Sequence, residues 1–179
     1  MGFWCLSGHR SLRPHTLSGR AMSKCFVRKA TLEDAGNAIE VLRASISELC
    51  AADHKNDEAT MARWLGNKTT EVFASWIYDS KNHVVVGIFE GELKGVGLIE
   101  TSGDLRLCYV HPDRQRVGVA RLVVAKLEAQ ARQWGVSEIR LTSSANARGF
   151  YEHLGYVSAG EPIHEFGVLW DFPYRKTLV

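Results

Sequence analysis

Residues 111–122 read His-Pro-Asp-Arg-Gln-Arg-Val-Gly-Val-Ala-Arg-Leu, with Arg114, Arg116 and Arg121 set around Gly118 and the small Ala120. The first N–H groups of a helix have no backbone partner, and the helix dipole adds partial positive charge there. A turn without obstructing side chains can lay those groups against phosphate oxygens. Gly118 leaves one position unblocked, Ala120 nearly another, and the arginines add charge. The stretch lacks the Lys-Ser/Thr of a nucleoside-triphosphatase loop and the three glycines of a dinucleotide fingerprint, which disfavours both classes. A glycine opening a helix beside exposed arginines is also an ordinary structural turn, so the chemistry of this loop depends on its surroundings.

Those surroundings are legible as elements. Residues 104–111 read as a strand running into the loop, and 118–134 as a helix leaving it, with Leu122, Val123 and Leu127 expected inward. Upstream, 24–30 alternates as a first strand. Thr31 and Asp34 resemble a capping box, and Ile39, Leu42, Ile46 and Leu49 share one helical face. A more polar stretch ending near Ile77 reads as one or two short helices. Residues 83–90, 92–100 and 104–111 form three strands joined by turns at 90–92 and 101–103, so each neighbouring pair is expected to be an antiparallel hairpin. A strand at 137–144, a short helix at 145–155 ended by Gly155, a strand at 156–160 and a last strand within 165–178 complete the order. The pattern is that of a mixed α/β sheet with helices on its faces.

The bulk numbers suit a single soluble domain: 179 residues, 45% hydrophobic and 23% charged. A net charge of +2 gives no argument for nucleic acid as a partner, and no apolar run is long enough for a membrane helix. Cys5, Cys25, Cys50 and Cys108 lie far apart without metal-ligand spacing, so reduced cysteines, no metal and a cytoplasmic setting are expected. Residues 1–22 carry Arg10, Arg13 and Arg20 and no acid. They are expected to lie outside the fold, either as a tail upstream of a second start at Met22 or as a segment of transit-peptide composition.

Gln115-Arg116-Val117-Gly118-Val119-Ala120 matches Q/R-x-x-G-x-G/A after the strand that ends in Val110-His111-Pro112. "NARGFYEHLGY" follows about 26 residues later, with Asn146 opening a helix that contains Phe150 and Tyr151. Together these motifs resemble the GNAT N-acetyltransferase superfamily over residues 24–179. The resemblance implies a mostly antiparallel central sheet, helices on both faces and a splayed central strand pair. It implies acetyl-CoA as cosubstrate, its pyrophosphate resting on the backbone of Arg116, Val117, Gly118, Val119 and Ala120 with Gln115 and Arg121 flanking. The pantetheine arm would run near Cys108 and Val110, Asn146 would reach it from the next helix, and the Cys108 N–H would be the oxyanion donor.

Acetylation needs a neutral amine to attack the thioester and a proton for the departing thiolate. A thiol has a pKa near ~8.5, so a tyrosine hydroxyl is acid enough. The resemblance places Tyr151 in that role, with Phe150 the better core candidate. It places Asp104 where several relatives carry a catalytic glutamate, acting through a water because Asp is short. Asp104 is equally read as the residue closing the Ser102-Gly103 turn, and Glu100 is a second candidate base. Simple alternation along the strand puts Asp104, Arg106, Cys108 and Val110 on one face. The acceptor side implied by the family draws on Ser45, Glu48, His54, Trp64 and Trp76, then His164, Glu165 and Trp170. Acids beside aromatics suit a cationic amine, although each of these residues is equally at home packed or solvated. A small-molecule or protein amine is the expected partner of a monomer or homodimer. The rival function is an acyl-CoA-binding regulatory module without catalysis.

Overall fold

β1 (Cys25–Lys29) leads through a short turn into α1 (Ala35–Ala44), where Ala38, Ile39, Val41 and Leu42 make the buried face. The computed structural model describes residues 24–165 and 169–179, with the side chains of 164–170 outside that description. The expected cap is present: Asp34 accepts the Thr31 N–H at 2.8 Å and takes both Arg28 guanidinium nitrogens at 2.7 Å. After Ala44 the helix widens into a π-type turn over Ser45–Leu49, which buries Ile46 and leaves Leu49 only half-buried.

The polar stretch that follows folds as three short helices rather than one or two. They are α2 (Ala51–His54), α3 (Glu58–Gly66) and α4 (Thr70–Tyr78). Lys55 and Asn56 break the first from the second by taking positive φ, and the side chains of Asp57 and Thr69 cap α3 and α4. Local backbone and capping chemistry therefore cuts the stretch one helix further than the sequence suggested.

β2 (Asn82–Phe89), β3 (Glu92–Glu100) and β4 (Leu105–Val110) form the two expected antiparallel hairpins, giving the order β1-β2-β3-β4. α5 (Val119–Gln133) crosses one face of these strands and α1 with α4 the other. Val84, Val86 and Ile88 of β2 accordingly point to the α1 side, and Val85 to the α5 side. α5 lies so close that a Cβ on Gly87, Gly95 or Gly97 would come within 2.7, 2.5 or 2.4 Å of a valine methyl. Its inward row is Val119, Val123, Leu127 and Ala131, a four-residue repeat with Val124 beside it. Leu122, expected inward, is 40% exposed, because it sits one helical step off that row.

The second half of the sheet has the order β5 (Glu138–Ser143), β8 (Leu169–Thr177), β6 (Val157–Ser158). β7 (Ile163–Glu165) pairs with β8, so the last strand expected from the sequence is one arm of a hairpin. α6 (Arg148–His153) lies between β5 and β6. The two halves are joined where Asp104 bridges Arg140 in parallel, with the Arg140 N–H donating to the Gly103 carbonyl at 3.0 Å. Beyond that foot β4 and β5 make no further pairs and diverge, which yields the splayed strand pair.

Candidate active site

The loop that opened the sequence argument lies at the end of β4. Arg116 has φ +60° and Gly118 φ +94°, so the chain turns twice through the left-handed region before α5 begins. No side chain caps the α5 N-terminus, which leaves its first N–H groups free for an anion. Val119 is 1% exposed and pins the helix start to the core, while Gln115, Arg116, Val117 and Arg121 are exposed around it and Ala120 is half-buried. A Cβ on Gly118 would meet no protein atom within 4 Å, so glycine is required here by its φ rather than by space inside the protein. The arginines divide. Arg114 lies over the Phe89 ring and donates to the Asp113 carbonyl, whereas Arg116 and Arg121 make no ion pair among the described residues.

Between the loop and the foot of the splay, β4 departs from simple alternation. Leu98 pairs with Leu107 but Ile99 pairs with Leu105, so Arg106 is an extra residue bulged out of register. Leu105, Cys108 and Val110 therefore pack toward α5, and Leu107 and Tyr109 toward α1. The single face of Asp104, Arg106, Cys108 and Val110 expected from a period of two does not exist, because the bulge shifts the phase between Leu105 and Leu107. The His111 N–H donates to Lys94 of β3. By the alternation of an antiparallel ladder, the Cys108 and Val110 N–H groups then point to the free edge, into the splay.

A cavity of about 190 Å³ occupies the splay, lined by Cys108 and Tyr109 of β4, Ser143 of β5, Tyr151 of α6, and Asp53 and Trp64 from the early helices, among others. Tyr151 is 6% exposed and stands edge-on to Phe150 and Tyr156. Phe150 is only half-buried, so the expected order of the two rings is reversed: the tyrosine is the deeper one. The Tyr151 hydroxyl meets the Cys108 thiol, and burial foremost pushes the Tyr151 pKa well above its ordinary value. Burial likewise pushes the Cys108 and Cys50 thiols up to about 12, so neither is an available nucleophile.

A larger cavity of about 840 Å³ opens beside the first and shares Trp64, Leu105, Arg106, Tyr109, Thr142 and Asp171 with it. Asp104 and Glu100 lie on its wall. Asp104 accepts from Arg140 Nε at 2.9 Å and from Ser102 Oγ at 2.7 Å, and chiefly the Arg140 bond holds its carboxyl below the usual range. Glu100 pairs with Arg106 at 3.5 Å. Asn146 is spent locally, donating to the Leu49 carbonyl and accepting from Ser144 Oγ, and so ties the π-type turn to the β5–α6 loop.

Of the expected acceptor-side residues, Trp64 lines both cavities and Trp76 the larger one. Ser45 is buried and Glu48 exposed, and neither lines either cavity. His54 is fully buried and structural, its ring nitrogens bonded to the Ile46 carbonyl and the Asn56 N–H. Residues 1–22 and the side chains of His164, Glu165 and Trp170 lie outside the described residues.

Among the lining residues that the sequence argument missed are Asp53, Lys68 and Tyr109. Asp53 is 3% exposed; Oδ1 accepts the Ala145 N–H at 2.8 Å, while Oδ2 is buried without a hydrogen-bond partner among the described residues. Burial is the main cause that raises its pKa. Lys68, on the wall of the larger cavity, is 7% exposed and, among the described residues, its ammonium bonds to Asn67 Oδ1 and the Trp64 carbonyl and to no carboxylate. Burial lowers its pKa. Tyr109 accepts a hydrogen bond from the Trp64 side chain, and burial raises its pKa. A charged residue in a polar helical stretch reads as solvated, so only the fold could show these two charges turned inward.

A sheet split between parallel strands, with an uncapped, glycine-opened helix at the mouth of the split, defines the class of this α/β domain. A family model described as "Acetyltransferase (GNAT) domain" matches residues 50–178. The chain belongs to the GNAT acetyltransferase family. A Bacillus subtilis (strain 168) protein with an acetyltransferase name is 30% identical over 66 residues, spanning 37% of this chain and 45% of that protein. Among solved structures, a GCN5-related N-acetyltransferase from Rhodopseudomonas palustris superposes with a TM-score of 0.76 at 24% identity, covering 90% of this chain and 100% of the other. The PaiA N-acetyltransferase of Thermoplasma acidophilum, in complex with coenzyme A, gives 0.73 at 21% identity, covering 88% and 100%. The yncA protein of Salmonella typhimurium, with acetyl-CoA, gives 0.61 at 18% identity, covering 88% and 95%. These structures share the fold.

Proposed function

We propose that the protein is an N-acetyltransferase that moves an acetyl group from acetyl-CoA to a primary amine by direct attack. The observation that carries this reading is the splay itself: a free strand edge at Cys108 and Val110, ending in the uncapped start of α5, with Tyr151 buried alongside. The pyrophosphate takes the α5 N-terminus, with the backbone of Arg116–Ala120 beneath it and Gln115 and Arg121 at its sides. The pantetheine arm pairs with the free edge of β4, as a further strand would.

The amine nitrogen then attacks the thioester carbonyl carbon, and the Cys108 N–H stabilises the oxyanion that forms. As the C–S bond breaks, Tyr151 gives its proton to the sulfur, leaving coenzyme A as the thiol and the product as an amide. The Tyr151 hydroxyl is protonated when the substrates bind; burial, which raises its pKa, makes it a weaker acid until negative charge develops on the sulfur beside it. The arriving ammonium first sheds one proton to solvent, with Asp104 assisting through a water from the wall of the larger cavity, although the bonds from Arg140 and Ser102 leave it a weak base. The second proton, released from nitrogen as the amide forms, returns through solvent to Tyr151.

Thiol release from acetyl-CoA over a panel of primary amines, together with calorimetric titration of coenzyme A, tests this. Amine-dependent thiol release is expected. Tight binding of coenzyme A with silence over the panel would replace the enzyme by a binding module.

A further inference from the structure

We propose that the acceptor amine also carries an anionic group, its ammonium end seated against Asp53 in the smaller cavity and its anion against Lys68 in the larger. This inference rests on the acetyl-transfer reading and names the substrate class of the same site. Two independent observations point to it, one at each end.

At the first end, a buried carboxylate has one oxygen tied to the Ala145 N–H and the other without a donor. An acid in that state costs stability unless something supplies the missing hydrogen bond. Asp53 shares its cavity with Cys108 and Tyr151, so a donor reaching it stands beside the strand edge assigned to the thioester. An ammonium group is such a donor, and it is the form in which the acceptor arrives.

At the second end, Lys68 is a buried cation whose two bonds go to neutral oxygens. The other cations on the same wall are answered: Arg106 by Glu100 and Arg140 by Asp104. Lys68 has no acid partner among the described residues. Burying such a charge is costly unless a counter-ion answers it, and an anionic group on the ligand would do so. Trp64 lines both cavities and its carbonyl holds the Lys68 ammonium, so the two ends belong to one continuous surface. A simple diamine or polyamine would leave Lys68 facing a like charge; an amine bearing a carboxylate or phosphate satisfies both ends.

The probes are matched pairs: α-amino acids and ω-amino carboxylates of increasing length beside their carboxamides, and aminoethyl phosphate beside ethanolamine. Each is titrated calorimetrically into the protein saturated with coenzyme A, and separately assayed for acetyl transfer. The anionic member of at least one pair is expected to bind at least about tenfold more tightly, the scale of one hydrogen bond to a charged group. In Lys68→Gln that ratio should fall towards one, and in Asp53→Asn both members should weaken; coenzyme A titration verifies that each variant is folded. Equal binding of both members throughout wild type, or a ratio that survives Lys68→Gln, overturns the proposal. Charge-selective binding without acetyl transfer would keep the zwitterion site and remove the transferase reading. Transfer that prefers neutral amines would do the reverse.

Discussion

Replacing Gly118 separates what the loop does for the fold from what it does for the ligand. Its φ of +94° is a conformation that an L side chain adopts at a cost of about 1–2 kcal/mol. A Cβ there meets no protein atom within 4 Å, so no clash adds to that cost. Gly118→Ala should therefore lose about 1–2 kcal/mol of stability, read as a shift in the urea midpoint with an unchanged slope. Gly118→Asp should lose less, because a carboxylate at the N-cap both caps α5 and suits its dipole, recovering about 0.5–1 kcal/mol. Ligand binding should rank the two variants the other way. A carboxylate about 5 Å from a phosphate, at an effective dielectric near 20, costs about 3 kcal/mol for each unit of charge, or roughly a hundredfold in affinity. Calorimetric titration with coenzyme A should show Gly118→Asp as the weaker binder although it is the more stable fold. If its affinity equals that of the wild type, the pyrophosphate does not rest on this loop.

Three further outcomes are expected. Tyr151→Phe removes the hydroxyl and keeps the ring, so kcat should fall by about 10²–10⁴-fold while coenzyme A binds as before; an undiminished kcat dismisses Tyr151 as the acid. Gly97→Val places its Cβ 2.4 Å from a Val123 methyl and 3.0 Å from one of Leu127, so overpacking should cost at least about 1–3 kcal/mol in a denaturation curve; no cost would mean that α5 lies further from the sheet. Asp34→Asn breaks the paired bonds from Arg28, chief cause of its lowered pKa, and should cost about 1–3 kcal/mol at neutral pH. Because that pKa is lowered on folding, the wild-type advantage is full above the unfolded value near ~4 and disappears as pH falls through the folded one. Denaturation at stepped pH checks it, and a gap that persisted well below pH ~2 would contradict the assignment.

Much of the frame was legible in the order of residues. The apolar, valine- and isoleucine-rich runs in 83–90 and 92–100 and the glycine turns that bound them specify hairpins locally, since a short turn fixes the register of the strands it joins. The glycine-opened turn before α5 was legible too, because Gly118 and the helix start are properties of neighbouring residues. The row along α5 was half read: the hydrophobic pattern admits Leu122 as readily as Val119, and only the sheet beneath decides which side is inward. β4 shows the same limit more sharply. Its bulge at Arg106 arises from pairing with β3, so a reading by alternation alone misassigns the faces of Asp104 and Cys108.

The surroundings of the charges at the site lie beyond sequence reasoning. Asp104 was singled out by position, yet the parallel bridge to Arg140, 36 residues away, ties it into the foot of the splay. Asp53 and Lys68 sit in a polar helical stretch where acids and lysines are ordinarily solvated. They become buried because the early helices fold over the gap between β4 and β5, and long-range packing alone determines which charges lose their water. Local chemistry determined the elements and the glycine turn that opens α5; tertiary contact decided the bulge, the depth of Tyr151 and the two buried charges, because desolvation depends on what the rest of the chain places around a residue.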